Sequence, residues 1–181
     1  MRTMRLKRIL SGLRPPAGHM GRLGADEAGN ALVEMAISIS LFLLFLIGII
    51  EVGLALYTYN YVSEAARVAS RWAIVRGSDC STNTPGLDHC NATQTDIQTY
   101  VRSIPYPGLN SSQLLVSAKW LQPSTPPSVT WSTCTATPTN PCNQQGYEVQ
   151  VTVTYPFPLS IPFWNKTTFY VGSTSTMVIS Q

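Results

Sequence analysis

The feature that most constrains this chain is one long apolar run without a charged side chain. Residues 35–50 read MAISISLFLLFLIGII, and VGLALY follows directly after Glu51. Together they supply about 20 apolar residues, which is the length that a helix needs to cross a bilayer. The alternative is a core helix, but a small domain rarely buries sixteen uncharged residues on every face. We therefore predict a transmembrane helix over residues 30–56.

The composition limits the remaining architecture. Only 12% of the 181 residues are charged, whereas soluble domains average about 25%. The length suits one domain of about 100 to 150 residues together with an anchor. The 44% hydrophobic content and the net charge of +3 exclude a fully disordered chain.

Cations are concentrated before the apolar run and indicate its orientation. The first membrane helix usually keeps its Lys/Arg-rich end in the cytoplasm, so we expect residues after Tyr57 to be exported. A nucleic-acid role for this basic tail is the alternative. Cations among Gly and Pro beside a membrane span are more typical of topology determinants, and we expect no nucleic-acid partner. The cations are Arg2, Arg5, Lys7, Arg8, Arg14 and Arg22, against Asp26 and Glu27.

A short motif lies on the inner flank of the run, in GNALVEM. Gly29 lies just before the apolar stretch, and Glu34 lies five residues after Gly29. Prepilin peptidases cut at this arrangement. Glycine leaves the backbone unhindered and extended for a protease. We predict cleavage after Gly29, loss of residues 1–29 as a cytoplasmic leader, and Asn30 as the new amino terminus. Met4 and Met20 are further candidate start residues that leave the motif intact.

The position of Glu34 suggests a role in assembly. A carboxylate near hydrocarbon is costly and is usually kept because something pairs with it. The new ammonium of Asn30 in a neighbouring subunit is the expected partner, and this pair would set the axial register of stacked helices. The alternative is an interfacial glutamate that reaches water.

Residues 29–73 as a whole resemble the TadE-like family, the pseudopilins of bacterial tight-adherence pilus systems. The resemblance rests on segments 29–36, 50–53 and 65–71, and the closing STSTMVISQ is also similar. It implies a minor pilin of the inner membrane that is processed by a prepilin peptidase and takes part in pilus assembly and adhesion. The implied partners are that peptidase, other pilins or pseudopilins through helix packing, the inner-membrane assembly platform and membrane lipid. The alternative is a permanent single-span envelope protein whose exported head binds a secretion component or a surface ligand.

The helical pattern continues beyond the membrane span, and one helix from Ala31 to Arg76 is expected. Its part over 57–77 is amphipathic, with Ser70 on the polar face. The predicted apolar face carries Tyr57, Tyr61, Ala65, Val68, Trp72 and Val75.

Residues 78–181 are rich in Ser, Thr, Asn and Pro and predict a β-rich exported head. A short helix is expected over 96–103 and strands over 113–120, 129–131 and 147–155, with one or two more drawn from 169–171 and 175–180. The clearest is YEVQVTVTY, in which apolar and polar residues alternate. The predicted fold is α+β and pilin-like, a long amino-terminal helix packed on a small antiparallel sheet.

All four cysteines lie in the head, where export permits oxidation. Four cysteines allow three connectivities. We favour Cys80 with Cys90 and Cys134 with Cys142, because short loops close most easily. A zinc site that uses these cysteines with His89 is the alternative, but the spacing matches no C-x2-C signature. We expect neither a metal nor a cofactor.

An enzyme is not expected. His89 is the one imidazole in the head, and the chain has no GxSxG, HExxH or P-loop motif. The acids of the head form no pair whose spacing argues for a shared catalytic site.

Overall fold

The computed structural model describes residues 20–124, 129–137, 139–162 and 165–180, with side chains from Gly29 onward. The chain divides into two compact units, one ending at Leu46 and the other beginning at Ile47. The predicted α+β fold is confirmed, because a long amino-terminal helix packs on a four-stranded antiparallel sheet. The elements are α1 (Met20–Ile74), α2 (Cys80–Asn83), α3 (Gln94–Ser103), a 3-10 turn (Ser111–Gln113), β1 (Leu115–Pro123), β2 (Trp131–Thr133), β3 (Glu148–Leu159) and β4 (Thr167–Val178).

Helix α1 begins earlier than the sequence analysis predicted, at Met20 instead of Ala31. The expectation of an extended backbone at Gly29 is therefore wrong, because this glycine lies inside the helix. No proline follows Pro16 before the apolar run, and each glycine costs a helix only about 1 kcal/mol. The helix ends at Ile74, where the Arg76 N–H bonds to the Ala73 carbonyl (3.0 Å) and begins a turn.

Small side chains mediate the packing of α1 in the second unit. Val68, Trp72 and Val75 were predicted for the apolar face that packs on the sheet, but all three are only half-buried. Ser70, expected on the polar face, is fully buried. Small residues occupy these positions because they let the helix backbone approach the sheet closely. Trp72 lies at the margin of this packed face. The buried stripe consists of Thr58, Tyr61, Val62, Ala65, Ala66, Ala69, Ser70 and Ala73.

The sheet has the order β2-β1-β3-β4, and every pairing is antiparallel. Strand β3 occupies a central position, and its alternate residues from Val149 to Phe157 are buried. Those from Val149 to Tyr155 belong to the core shared with the helices. Of the one or two carboxy-terminal strands predicted, the structure has one, because β4 is continuous through Gly172. A Cβ at Gly172 would lie 3.1 Å from Thr154 Oγ1, so the glycine leaves room for that hydroxyl on β3.

Helix α3 is close to its predicted range and completes the core. Ile97 and Val101 are fully buried, and the Arg102 guanidinium donates to the Leu114 carbonyl (2.9 and 3.3 Å). The hydrophobic core of the second unit therefore lies between the sheet and the two helices α1 and α3.

Candidate functional site

The most prominent surface of the chain is the apolar first part of α1. From Gly29 to Leu46 every side chain is exposed, including Leu32 at 72% and Phe45 at 67%. Soluble monomers rarely expose contiguous apolar patches larger than a few hundred Å². Gly29–Ile74 is long and apolar enough to cross a membrane, and it is the one such helix among the described residues.

The three predicted processing residues lie at the start of this segment. Gly29, Asn30 and Glu34 are all exposed, and a Cβ at Gly29 would meet no atom within 4 Å. The fold of the single chain therefore does not require glycine here. Asn30 and Glu34 are four residues apart and share one face of α1. Within the described ranges, neither of the ion pairs involves Glu34.

One stripe of α1 near the exit of the apolar run is less exposed than its surroundings. Ile47, Gly48, Glu51 and Ala55 are half-buried, and Thr58 is fully buried. These positions recur at helical spacing and belong to the unit that contains the sheet. On this side α1 is therefore less exposed from Ile47 onward. The other sides remain apolar and exposed, with Ile49, Ile50, Val52, Leu54 and Leu56 between 49% and 60% exposed.

The three tyrosines that follow have different environments. The Tyr57 hydroxyl donates to the Pro107 carbonyl (2.9 Å), and Tyr59 remains 50% exposed. Tyr61 lies in the core, with its ring edge-on to Tyr106 at a centroid distance of 3.7 Å. Burial, together with neighbouring tyrosines, raises the pKa of Tyr61. Tyr57 and Tyr59 therefore suit an interfacial position, whereas Tyr61 is a core residue.

The cysteines form two disulfides, Cys80–Cys90 and Cys134–Cys142, which are the pairs favoured from the sequence. Both close short loops, with sequence separations of 10 and 8. All four cysteines are used in these disulfides, and none of them has a free thiol. The described residues contain no other cluster that could hold a metal ion.

His89 lies beside the beginning of α3. Its Nδ1 is 3.4 Å from Asp96 Oδ1, and Asp96 Oδ2 accepts bonds from the Thr93 N–H (2.9 Å) and hydroxyl (2.7 Å). These Thr93 bonds are the main reason that the pKa of Asp96 is lowered, and His89 contributes less. Thr93 and Asp96 form a capping box, so this contact stabilises the start of a helix.

The end of the hairpin formed by β3 and β4 had no predicted role. There Phe169 is 52% exposed and Tyr170 is 69% exposed, and Lys166 is exposed nearby. Neighbouring strand residues point to opposite faces of a sheet, so both faces carry an aromatic side chain at this end. Aromatic residues clustered with a lysine and no acid were a sequence signal that could have drawn attention to these residues.

Fold and surface together define a class of protein, a small disulfide-containing head on a helix that could span a membrane. Residues 29–71 match the family model described as TadE-like protein. The match covers the exposed apolar segment and the helix that packs on the sheet, and it associates the chain with tight-adherence pilus systems. No curated protein and no solved structure matches the chain.

Proposed function

We propose that the chain is a minor pilin or pseudopilin of a tight-adherence pilus system, cleaved after Gly29 and then used in pilus assembly and adhesion. The observation that carries the proposal is that the uncharged apolar run, exposed along α1, directly follows the Gly29–Glu34 motif. A permanent anchor needs an apolar helix, but it does not need glycine at an unobstructed position beside a glutamate.

The proposed location is the inner membrane, with the amino terminus in the cytoplasm and the head exported. Two features on opposite sides of the helix support this orientation. The basic residues precede the span, and Lys/Arg-rich flanks remain cytoplasmic. Both disulfides follow it, and disulfides persist in oxidising compartments such as the bacterial periplasm.

Cleavage requires local opening of α1, because a protease needs an extended substrate. Gly29 and Asn30 favour this opening, since glycine and asparagine are weak helix formers. A prepilin peptidase at the cytoplasmic face would then release the leader and leave the Asn30 ammonium at the start of the helix.

The cleaved helix is suited to packing with like helices in a fibre. Its exposed apolar residues are in contact with lipid before assembly and with neighbouring pilins or pseudopilins after it. Glu34 pairs with the Asn30 ammonium of a neighbour, because an unpaired carboxylate is costly in an apolar environment. The inner-membrane assembly platform supplies the partner subunits, and the disulfide-containing head remains on the outside of the fibre.

A pair of glycine substitutions tests this function. A Cβ at Gly29 or at Gly53 would meet no atom within 4 Å, so leucine fits the single-chain fold at both positions. Gly29→Leu should block removal of the 29-residue leader and abolish pilus assembly. Gly53→Leu is the matched control and should be cleaved normally. Normal pilus assembly by uncleaved Gly29→Leu protein would contradict the proposal and favour the permanent envelope anchor.

A further inference from the structure

The packing of α1 on the sheet fixes which end of the head is nearest the membrane. At the distal end, the Ser180 N–H bonds to the Ile74 carbonyl (3.0 Å), and the adjacent Ile179 N–H bonds to the Tyr147 carbonyl (2.7 Å). Further along, Ser175 is hydrogen-bonded to Ser70 and pairs with Val151. Strand β3 therefore advances along α1 towards the apolar segment.

A third set of contacts extends this register. Tyr61 packs on Tyr106, and Tyr155 accepts a hydrogen bond from the N–H of Asn110 in the same loop (3.5 Å). Strand β3 continues for four residues beyond Tyr155, to Leu159, which adds about 13 Å at 3.3 Å per residue. The same distance along α1 is about nine residues at 1.5 Å each, so the strand ends level with about Val52.

The end of the hairpin is therefore level with the predicted transmembrane segment, 30–56. The half-buried stripe that reaches back to Ile47 belongs to the same compact unit as the hairpin. We name the described residues at this end of the sheet the hairpin end, and they are Leu159, Ile161, Lys166, Phe169 and Tyr170. Because Tyr170 pairs with Pro156, next to Tyr155, it lies just beyond the exported end of that segment, whereas Leu159 lies level with it.

We propose that the hairpin end lies in the lipid headgroup region of the membrane that α1 spans, as a second membrane contact of the head. This inference rests on the proposed membrane span. Tyrosine is enriched at the membrane interface, and residues 156–170 contain Lys166 but no acid. A lysine near an anionic lipid surface contributes about 1 kcal/mol of attraction.

Lipid fits this surface better than a protein partner does. Phe169 and Tyr170 lie on opposite faces of β4, and both are more than half exposed. A protein that docked on one face would leave the other aromatic side chain in water, whereas a headgroup layer surrounds both. Strand β4 is also an edge of the sheet, and its unpaired backbone groups limit insertion to the hydrated interface, because hydrocarbon cannot satisfy them.

Photo-crosslinking of the full chain in vesicles of phosphatidylethanolamine and phosphatidylglycerol tests the proposal. Benzoylphenylalanine replaces Tyr170, Trp131 or Phe42 in three separate variants, and lipid adducts are detected by mass spectrometry. Trp131 is the matched control, because it is a 41% exposed aromatic residue on β2, at the opposite end of the sheet. Phe42 reports on the membrane span itself.

We expect lipid adducts at positions 42 and 170 and none above background at 131, with a lower yield at 170 after Lys166→Glu. Adducts at position 42 with none at position 170 would overturn the proposed hairpin contact but would agree with the proposed membrane span. Equal yields at 170 and 131, or crosslinks from 170 to a second copy of the chain, would also overturn it. The absence of lipid adducts at 42 would contradict the proposed span, and the hairpin contact with it.

Discussion

The hydroxyl oxygens of Ser70 and Ser175 lie 2.8 Å apart and join α1 to β4 by a hydrogen bond. Ser70 is fully buried, and its hydroxyl also donates a hydrogen bond to the Arg67 carbonyl (3.0 Å). The contact lies within a stripe of alanines, where no large side chain separates helix from sheet. It therefore fixes the register between the two layers at the point where they approach closely.

A double-mutant cycle should measure this contact. Ser70→Ala leaves the Ser175 hydroxyl without its partner on α1 and should lower the free energy of unfolding by about 1 to 3 kcal/mol. The double variant Ser70→Ala with Ser175→Ala should lose less free energy of unfolding than the two single variants together, because it leaves no hydroxyl without a partner. Denaturant unfolding of the full chain in micelles gives the values. Strict additivity would show that the two hydroxyls do not interact.

The capping box of α3 should make the stability of the fold depend on pH in the acid range. Because its folded-state pKa is lowered, Asp96 stabilises the fold above its unfolded pKa of about 3.9. That contribution is lost as the pH falls through the lower folded-state value. Thr93→Ala should cost about 1 kcal/mol at neutral pH and flatten the acid limb of a melting-temperature profile, whereas Thr93→Ser should keep both. An unchanged acid limb in Thr93→Ala would contradict this role.

Each disulfide should stabilise the head separately. Loops with separations of 10 and 8 residues correspond to about 2 to 3 kcal/mol each in the chain-entropy description. Replacing Cys80 and Cys90 together with serine, or Cys134 and Cys142 together, should lower the thermal midpoint in each case. Calorimetry with and without a reductant checks this, and a midpoint unaffected by reductant would argue against a stabilising role.

Glu34 should be needed after cleavage and not for it. Glu34→Gln keeps the size of the side chain but leaves the Asn30 ammonium of a neighbour unpaired, and breaking a buried charge pair costs about 3 to 5 kcal/mol. We expect normal leader removal with loss of incorporation into fibres, measured by immunoblotting of membrane and sheared fibre fractions. Glu51→Gln is the control and should be incorporated. Normal incorporation of Glu34→Gln would exclude the charge pair.

The sequence predicted most of the fold because its strongest patterns are local. The alternation in β3 and the uncharged run of α1 each specify one element without help from the rest of the chain. The favoured cysteine pairs were recoverable for the same reason, since each pair closes a short loop.

The errors occurred where tertiary contacts decide the structure. Ser70 is polar, and only its partner on β4 explains why it is buried. One or two strands were open for residues 169–180, and pairing with β3 along its whole length makes β4 a single strand, with the missing Cβ of Gly172 leaving room for Thr154. The level of Phe169 and Tyr170 relative to α1 follows from the packing register, which no local pattern contains.

The most direct test of the central claim is the amino-terminal sequence of the chain purified from membranes of cells that assemble the pilus. The account predicts a chain that begins at Asn30 and has lost the 29 residues before it. An intact leader on the assembled protein, or a new terminus on the exported side of the apolar run, would contradict it.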